Sequence, residues 1–259
     1  MTFTALKRLT DELDAWAWTG TPAELWWRDD DAAEPEIALD TLINLTEEHH
    51  APCGLAVIPA KADAPLRKFI AGTSYIWVLQ HGYAHINHAP SGAGAWELGL
   101  HRPTTVILDE LRDGKVKLEQ LFNDRFVPVI VPPWNKIDPE LYPSLVAMGF
   151  RGVSTSYKRN RPVPPQGLFV ADAHCDLLSW KDKERGAKFA GADKCVDHLV
   201  SHLSAKRKGR AHPTEPTCVL SHHLEMDDEA WTFLKALLIT ISAHTASKWV
   251  SPIDIWPNK

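Results

Sequence analysis

The chain lacks most of the features that would assign it to a class at once. No run of roughly 18 apolar residues occurs, so no segment is expected to span a membrane. The opening residues, Met1-Thr2-Phe3-Thr4-Ala5-Leu6-Lys7-Arg8, lead into an acidic, helix-like stretch without the apolar centre of a secretory signal. The cytoplasm is therefore the expected location. Positive charge is not in excess: 28 Lys and Arg stand against 33 Asp and Glu, a formal net charge of -5. A duplex-binding protein is usually basic, so nucleic acid is not an expected partner. Cysteine is scarce. Cys53, Cys175, Cys195 and Cys218 form no C-x-x-C pair, and they read as reduced, buried thiols. A P-loop is missing too, and Gly92-Ala93-Gly94 is too short for a dinucleotide fingerprint.

What is present is apolar, rich in tryptophan, and punctuated by polar clusters. Of the 259 residues, 44% are hydrophobic, which suits a single domain of barrel size over 1–259. Residues 1–22 read as an N-terminal helical extension and 24–245 as the barrel. Eleven tryptophans exceed what a core of this size needs. Some are expected to floor a groove, because flat aromatic faces stack on sugars. Continuous apolar strands are expected at 24–28, 53–60, 75–80, 126–131, 152–155, 168–173 and 217–220. Helices are expected at 1–20, 36–50, 65–71, 104–123, 139–148, 193–206 and 228–242. Such alternation signals a parallel α/β fold, and roughly seven units nearly close a barrel. A doubly wound open sheet is the alternative.

In a barrel the chemistry gathers at the C-terminal ends of the strands. Each unusual polar cluster falls there: Arg28-Asp29-Asp30-Asp31, then His81-Gly82-Tyr83-Ala84-His85, Pro132-Pro133-Trp134-Asn135, and Ser221-His222-His223. Adjacent carboxylates repel and need protons or a cation when they share a partly buried site. His81 and His85 converge if Gly82 to Ala84 form one helical turn. Two imidazoles and a carboxylate make a metal triad with room for substrate. Alternation along a strand sends Asp29 and Asp31 to one side and Asp30 to the other, a rule that weakens at a strand end. A second Asp can then take a proton from water, while a His opposite donates one to the leaving group. The adjacent His222 and His223 point to different sides, so one of them reaches the centre. Arg28 can orient an Asp by a bidentate contact.

This ordered set resembles the polysaccharide deacetylase superfamily, the NodB homology domain of carbohydrate esterase family four, in a divergent bacterial branch. The resemblance spans about residues 24–245. It implies a distorted (β/α)7 barrel. Arg28-Asp29-Asp30-Asp31 resembles an R-x-D-D form of the first motif, which makes Asp30 the general base and Asp31 a metal ligand; the other frame makes Asp29 the base and Asp30 the ligand. The second motif, H-x-x-x-H, matches His81 and His85 as metal ligands. Val219-Leu220-Ser221-His222 resembles the fifth motif and makes His222 the general acid. The family's third motif carries an Arg where this chain has Val131-Pro132-Pro133-Trp134-Asn135, so Arg28 or Arg102 would have to stand in. Asp176 and Trp180 are candidates for the fourth motif. Arg28, Trp134, Asn135, Glu97, Arg102 and His223 are the remaining candidates for shaping the substrate groove.

The resemblance implies a metal-dependent hydrolase that deacetylates an N-acylated sugar or polysaccharide. Zinc is the first expectation for the ion, with cobalt, nickel or manganese compatible with the same ligands. Two alternatives stay open. One is an amidohydrolase acting on a small, non-polymeric cytoplasmic substrate, with Lys158-Arg159-Asn160-Arg161 greeting an anionic group. The other is a carbohydrate-binding protein with a degenerate site. No membrane partner is expected, and a homo-oligomer is compatible with the sequence.

Overall fold

Ten residues, Ala23–Ala32, form the strand β1 at the middle of the molecule. Its neighbours are β2 (Cys53–Val57) on one side and β10 (Thr217–Ser221) on the other, both parallel to it. The sheet continues from β2 through β3 (Ile76–His81), β4 (Phe126–Val131), β5 (Gly152–Val153) and β6 (Phe169–Val170), and from β10 to β7 (Cys175–Asp176). A short hairpin joins β8 (Leu178–Ser179) to β9 (Lys188–Phe189), and β11 (Ser247–Trp249) pairs with the start of β1. The computed structural model describes residues 2–158, 161–181 and 186–257.

The two edge strands are halves of one stave. The amide of Phe169 donates to Arg151, that of Ala171 to Val153 and that of Ala173 to Thr155, all on the β5 side. The next amide, His174, donates to Cys218, and Leu177 donates to Leu220, on the β10 side. A single bent stretch thus bridges both edges and closes the sheet into a distorted (β/α)7 barrel. The sequence suggests one strand at 168–173. The bend splits it, because the stave must leave β5 to reach β10.

Alternation explains the interior. Trp26, Ala56, Leu79, Val129, Val131 and Leu220 point inward and pack as one cluster. Leu25, Trp27, Leu55, Val57 and Val219 point outward into a second core beneath the helices. These helices are α1 (Thr2–Ala17), α2 (Ile37–His49), α3 (Ala64–Ile70), the end of α4 (Thr104–Phe122), α6 (Ala192–Arg207) and α7 (Asp228–Ser242), while the start of α4 and α5 (Tyr142–Ala147) cover a third cluster around Ile130 and Phe150. Leu9, Leu13 and Trp16 bury the apolar stripe of α1 in that outer core. The end of the barrel at the strand starts is plugged by α8 (Pro252–Ile255) and Trp256. A Cβ on Gly152 would lie 2.0 Å from Trp256 Nε1, so only glycine lets the plug seat. Among the described residues no helix is long and apolar enough to cross a membrane.

The boundaries differ from expectation in two instructive places. β1 extends through the acidic triplet instead of stopping at Arg28. Each carboxylate meets its own partner, so their mutual repulsion does not force a loop. The helix expected over 139–148 is a 3-10 turn, Pro139–Leu141, leading into α5.

Candidate active site

The three consecutive aspartates leave β1 in three directions. Asp29 points outward and is fully buried. It accepts hydrogen bonds from the Ser221 hydroxyl, the His223 backbone amide and His223 Nδ1. Trp27 Nε1 donates to the same serine at 2.7 Å. Burial alone would depress the His223 pKa, yet the Asp29 carboxylate outweighs it and holds the imidazole above its ordinary range. His223 therefore pins the end of β10 to β1 and does not face the groove suggested for it by sequence.

Asp30 points into the barrel and is 2% exposed. Arg28, two residues earlier on the same face, is fully buried beneath it. Its Nε lies 3.0 Å from Asp30 Oδ1, and its Nη2 donates to Oδ2 at 3.0 Å. The guanidinium is itself fixed by Ser154 Oγ at 2.7 Å and Asn135 Oδ1 at 2.6 Å. Of the two arginines expected to stand in for a third-motif arginine, Arg28 is the one that contacts Asp30, from the same strand. Asn135 anchors this arginine. Arg102 does not take part: its two Nη groups grip Glu110 on α4.

Asp31 breaks the alternation that would have sent it outward with Asp29. Its φ is +75°, and the pairing of β1 with β2 slips between Asp29 and Ala32. This bulge turns the carboxylate over the barrel mouth, where Oδ1 lies 3.0 Å from His81 Nε2 and 3.1 Å from His85 Nε2. Burial favours the neutral acid, but the hydrogen bonds from the two imidazoles outweigh it and hold the Asp31 carboxyl far below the usual carboxylate range. Burial likewise opposes the charged form of His81, and the bond to Asp31 reverses that and raises its pKa.

His81 ends β3. The helical turn expected between His81 and His85 is not formed. Gly82 has φ +53° and His85 φ +57°, and the loop between them wraps around Glu97. The fully buried Glu97 carboxylate accepts from the backbone amides of Tyr83, Ala84 and Ile86. Glu97 therefore shapes the site from behind the loop, without lining the groove. A Cβ on Gly82 would lie 2.0 Å from Glu97 Oε2, so loop and glutamate meet only at glycine.

The three side chains fit a cation on their own chemistry. His81 Nδ1 faces the Val131 carbonyl at 2.9 Å, and a carbonyl only accepts, so this nitrogen carries the proton. In the neutral ring that leaves Nε2, which when protonated donates to Asp31 Oδ1 at 3.0 Å, as the atom able to bind an ion instead, and His85 Nε2 lies 3.1 Å from the same oxygen. The three ligand atoms all lie within 4.8 Å of one another, a convergence that suits a cation.

His222 follows β10 on its inward face and lies next to Asp30. Its Nε2 is 3.9 Å from Asp30 Oδ2, and its Nδ1 is 3.8 Å from Asp176 Oδ1. Trp180 packs edge-on against the imidazole at 4.8 Å between centroids and donates its indole N–H to Asp176 at 2.9 Å. Burial raises the Asp176 pKa, with the charge on His222 working against it. Trp134, with φ +54°, packs on His85 at 4.4 Å. Two of the eleven tryptophans thus wall the centre, while Trp26, Trp27 and Trp256 fill cores. Ser154 and the Val131 carbonyl were not singled out from the sequence. The inward alternation from Gly152 would have indicated Ser154. Of the basic loop, Arg161 is committed to Asp172 and Glu215, while Arg159 and Asn160 lie outside the described residues.

No family model and no curated protein sequence matches the chain. Solved structures do. The peptidoglycan N-acetylglucosamine deacetylase Bc1960, bound to an N-oxidanyl-benzamide, aligns over 92% of this chain and 90% of its own, with TM-score 0.58 and 14% identity. A Mycobacterium smegmatis protein assigned to the polysaccharide deacetylases aligns over 91% and 88%, with TM-score 0.64 and 16% identity. A family 4 acetyl xylan esterase from Clostridium thermocellum, in complex with a cobalt ion, aligns over 90% and 89%, with TM-score 0.52 and 10% identity. Identities this low speak to fold alone. The chain has the NodB-like fold of the polysaccharide deacetylases of carbohydrate esterase family four.

Proposed function

We propose that this protein is a metal-dependent hydrolase that removes an acyl group from the amide nitrogen of an N-acylated carbohydrate or related molecule. One observation carries the reading: Asp30 and His222 face each other at 3.9 Å beside the convergent triad Asp31, His81 and His85. Asp31, His81 and His85 would hold a divalent ion, zinc in the first instance and cobalt, nickel or manganese on the same ligands. Such an ion polarises the amide carbonyl and makes water more acidic.

The chain's own residues supply the rest. Asp30 takes the proton of the attacking water, its two oxygens held in place by Arg28. His222 gives a proton to the departing amine, so that nitrogen leaves as a neutral group. Asp176 steadies the imidazole from the Nδ1 side, and Trp180 fixes Asp176 while shielding the pair from water. Trp134 and Trp180 offer flat faces at the rim, which suits a sugar ring. The similar structures named for peptidoglycan N-acetylglucosamine deacetylase and acetyl xylan esterase support the carbohydrate class.

The test is direct. Protein loaded with zinc or cobalt should release acetate from N-acetylated sugars, and its metal content should approach one ion per chain. Protein that holds no transition metal and takes up none on incubation would overturn the proposal.

A further inference from the structure

The bent stave leaves a gap. Where the chain abandons β5 to join β10, the barrel wall opens, and α6 covers the opening from outside. A cavity of about 830 Å³ lies there. It is large for an acetyl group and falls in the range of ~300–1,000 Å³ that takes up whole small-molecule moieties. Asp176, Leu178 and Leu220 line it, and the same Asp176 carboxylate lies 3.8 Å from His222 Nδ1, which places the cavity one side chain away from that imidazole.

Its chemistry is cationic and aromatic. Lys194, Lys208 and Arg210 line it, against the single carboxylate Asp176, which already faces His222 and Trp180. Among the described residues none of these three cations is paired with a carboxylate. The wall behind them is a stack of His174 on His202, with centroids 3.4 Å apart and planes at 25°. Tyr157 packs on both, at 4.9 and 5.6 Å. His174 Nδ1 accepts from the Cys218 amide at 3.0 Å, which puts its hydrogen on Nε2, and that atom has no hydrogen-bond partner; Glu215 Oε1 is 3.9 Å away. Both imidazoles stay neutral. Burial is the main cause, and the positive charges of Arg161 and Lys206 add to it, pushing His202 down to about 3. The neutral, stacked imidazoles and Tyr157 make a flat aromatic wall behind the three cations.

Resting on the hydrolase reading above, we infer that this cavity binds the anionic portion, a phosphate ester in particular, of the N-acylated substrate whose amide lies at Asp30 and His222. Lys208 and Arg210 neutralise the phosphate, Tyr157 supports the ring that bears it, and Lys194 draws it in along α6. The substrate class narrows accordingly, from neutral polymer to a phosphorylated, small amide.

The experiment uses the full, metal-loaded chain. Hydrolysis of N-acetylglucosamine is compared with that of its 1-phosphate, its 6-phosphate and a carboxylate-bearing N-acetyl sugar. Pyrophosphate binding is measured by calorimetry. A phosphate ester should be favoured at least about tenfold in kcat/KM. Lys208→Ala/Arg210→Ala should cut that preference, and pyrophosphate affinity, by about tenfold to a hundredfold. Lys115→Ala/Lys117→Ala on α4 removes the same charge elsewhere and should alter neither. A preference confined to the carboxylate sugar would identify the anion as a carboxylate and overturn the phosphate assignment. Equal rates on neutral and anionic sugars, or pyrophosphate binding indifferent to the Lys208/Arg210 change, would overturn the inference while leaving the hydrolase reading intact. Pyrophosphate binding that survives His81→Ala but fails in the Lys208/Arg210 variant, with no amide hydrolysed, would sustain the cavity and sink the hydrolase.

Discussion

Replacing Asp30 by Asn separates the proton-transfer role from the metal-binding role. The side chain keeps its shape and one acceptor oxygen but loses its charge. Arg28 is fully buried and Asp30 nearly so, with two contacts of 3.0 Å between them. Removing one charge of a buried pair costs roughly 3–5 kcal/mol. The lower end applies here, because Ser154 Oγ and Asn135 Oδ1 still accept from the guanidinium. A loss of about 3 kcal/mol in a chain of this size lowers Tm by about 6–12 °C. Turnover should fall by about 10²–10⁴, the range of a general base. Metal content should not change, since Asp30 contributes no atom to the convergent triad. Acetate-release kinetics, elemental analysis and calorimetry on Asp30→Asn and Asp31→Asn together decide the matter. If Asp30→Asn loses the ion while Asp31→Asn retains it, base and ligand are exchanged and the frame is wrong by one residue.

Three further outcomes follow from the same geometry. His222→Ala should keep its metal and lose about 10²–10⁴ in kcat on amides, but much less on aryl esters, whose leaving group needs no proton; an equal loss on both would refute its role as acid. Gly82→Ala places a Cβ 2.0 Å from Glu97 Oε2 at φ +53°, so it should destabilise the fold by at least about 2 kcal/mol in urea unfolding and lower metal occupancy. The His223 pKa lies above its ordinary 6.5 in the folded state, so its bond to Asp29 stabilises fully below that value and fades as pH rises through the raised one. The stability gap between the native chain and His223→Gln, from urea melts, should therefore be widest near about pH 6 and shrink toward alkaline pH; a gap that widened would refute the pairing.

Much of the barrel was legible because its strands are short apolar runs and its helices carry a regular stripe. The inward set Trp26, Arg28 and Asp30, and the pair Leu220 and His222, follow from a period of two. What alternation could not supply was Asp31, whose left-handed φ is set by a bulge that depends on β2. Nor could it supply His85, which reaches Asp31 through a loop folded on Glu97 and not through a helical turn. Spacing in sequence suggested that His81 and His85 converge, and they do, but not through the helical turn expected between them. Sequence left open whether Arg28 or Arg102 serves Asp30, and only the packing places Arg28 against it. Arg102 and Arg161 looked equally available in sequence; both are consumed by local carboxylates. A side chain's charge is visible in a sequence, but whether that charge is already spent is a property of the fold.

The backbone carries a separate mark of the same site. Six non-glycine residues of the described chain have positive φ. Two of them end helices: His50 in the left-handed conformation routine there, and Asn123 with φ +47° and ψ -121°. The other four, Asp31, His85, Trp134 and Asn135, all touch the candidate centre. Residues held off the common φ/ψ regions cost about 1–3 kcal/mol each and persist only where their surroundings fix them. The fixing elements are identifiable. The bulge between β1 and β2 holds Asp31, and Glu97 holds the loop to His85. Pro132-Pro133 stiffens the approach to Trp134, and Arg28 grips Asn135. Four of the six such residues thus gather where the candidate ligands Asp31, His81 and His85 meet Asp30 and His222, so the left-handed backbone is a second, independent feature that marks this end of the barrel.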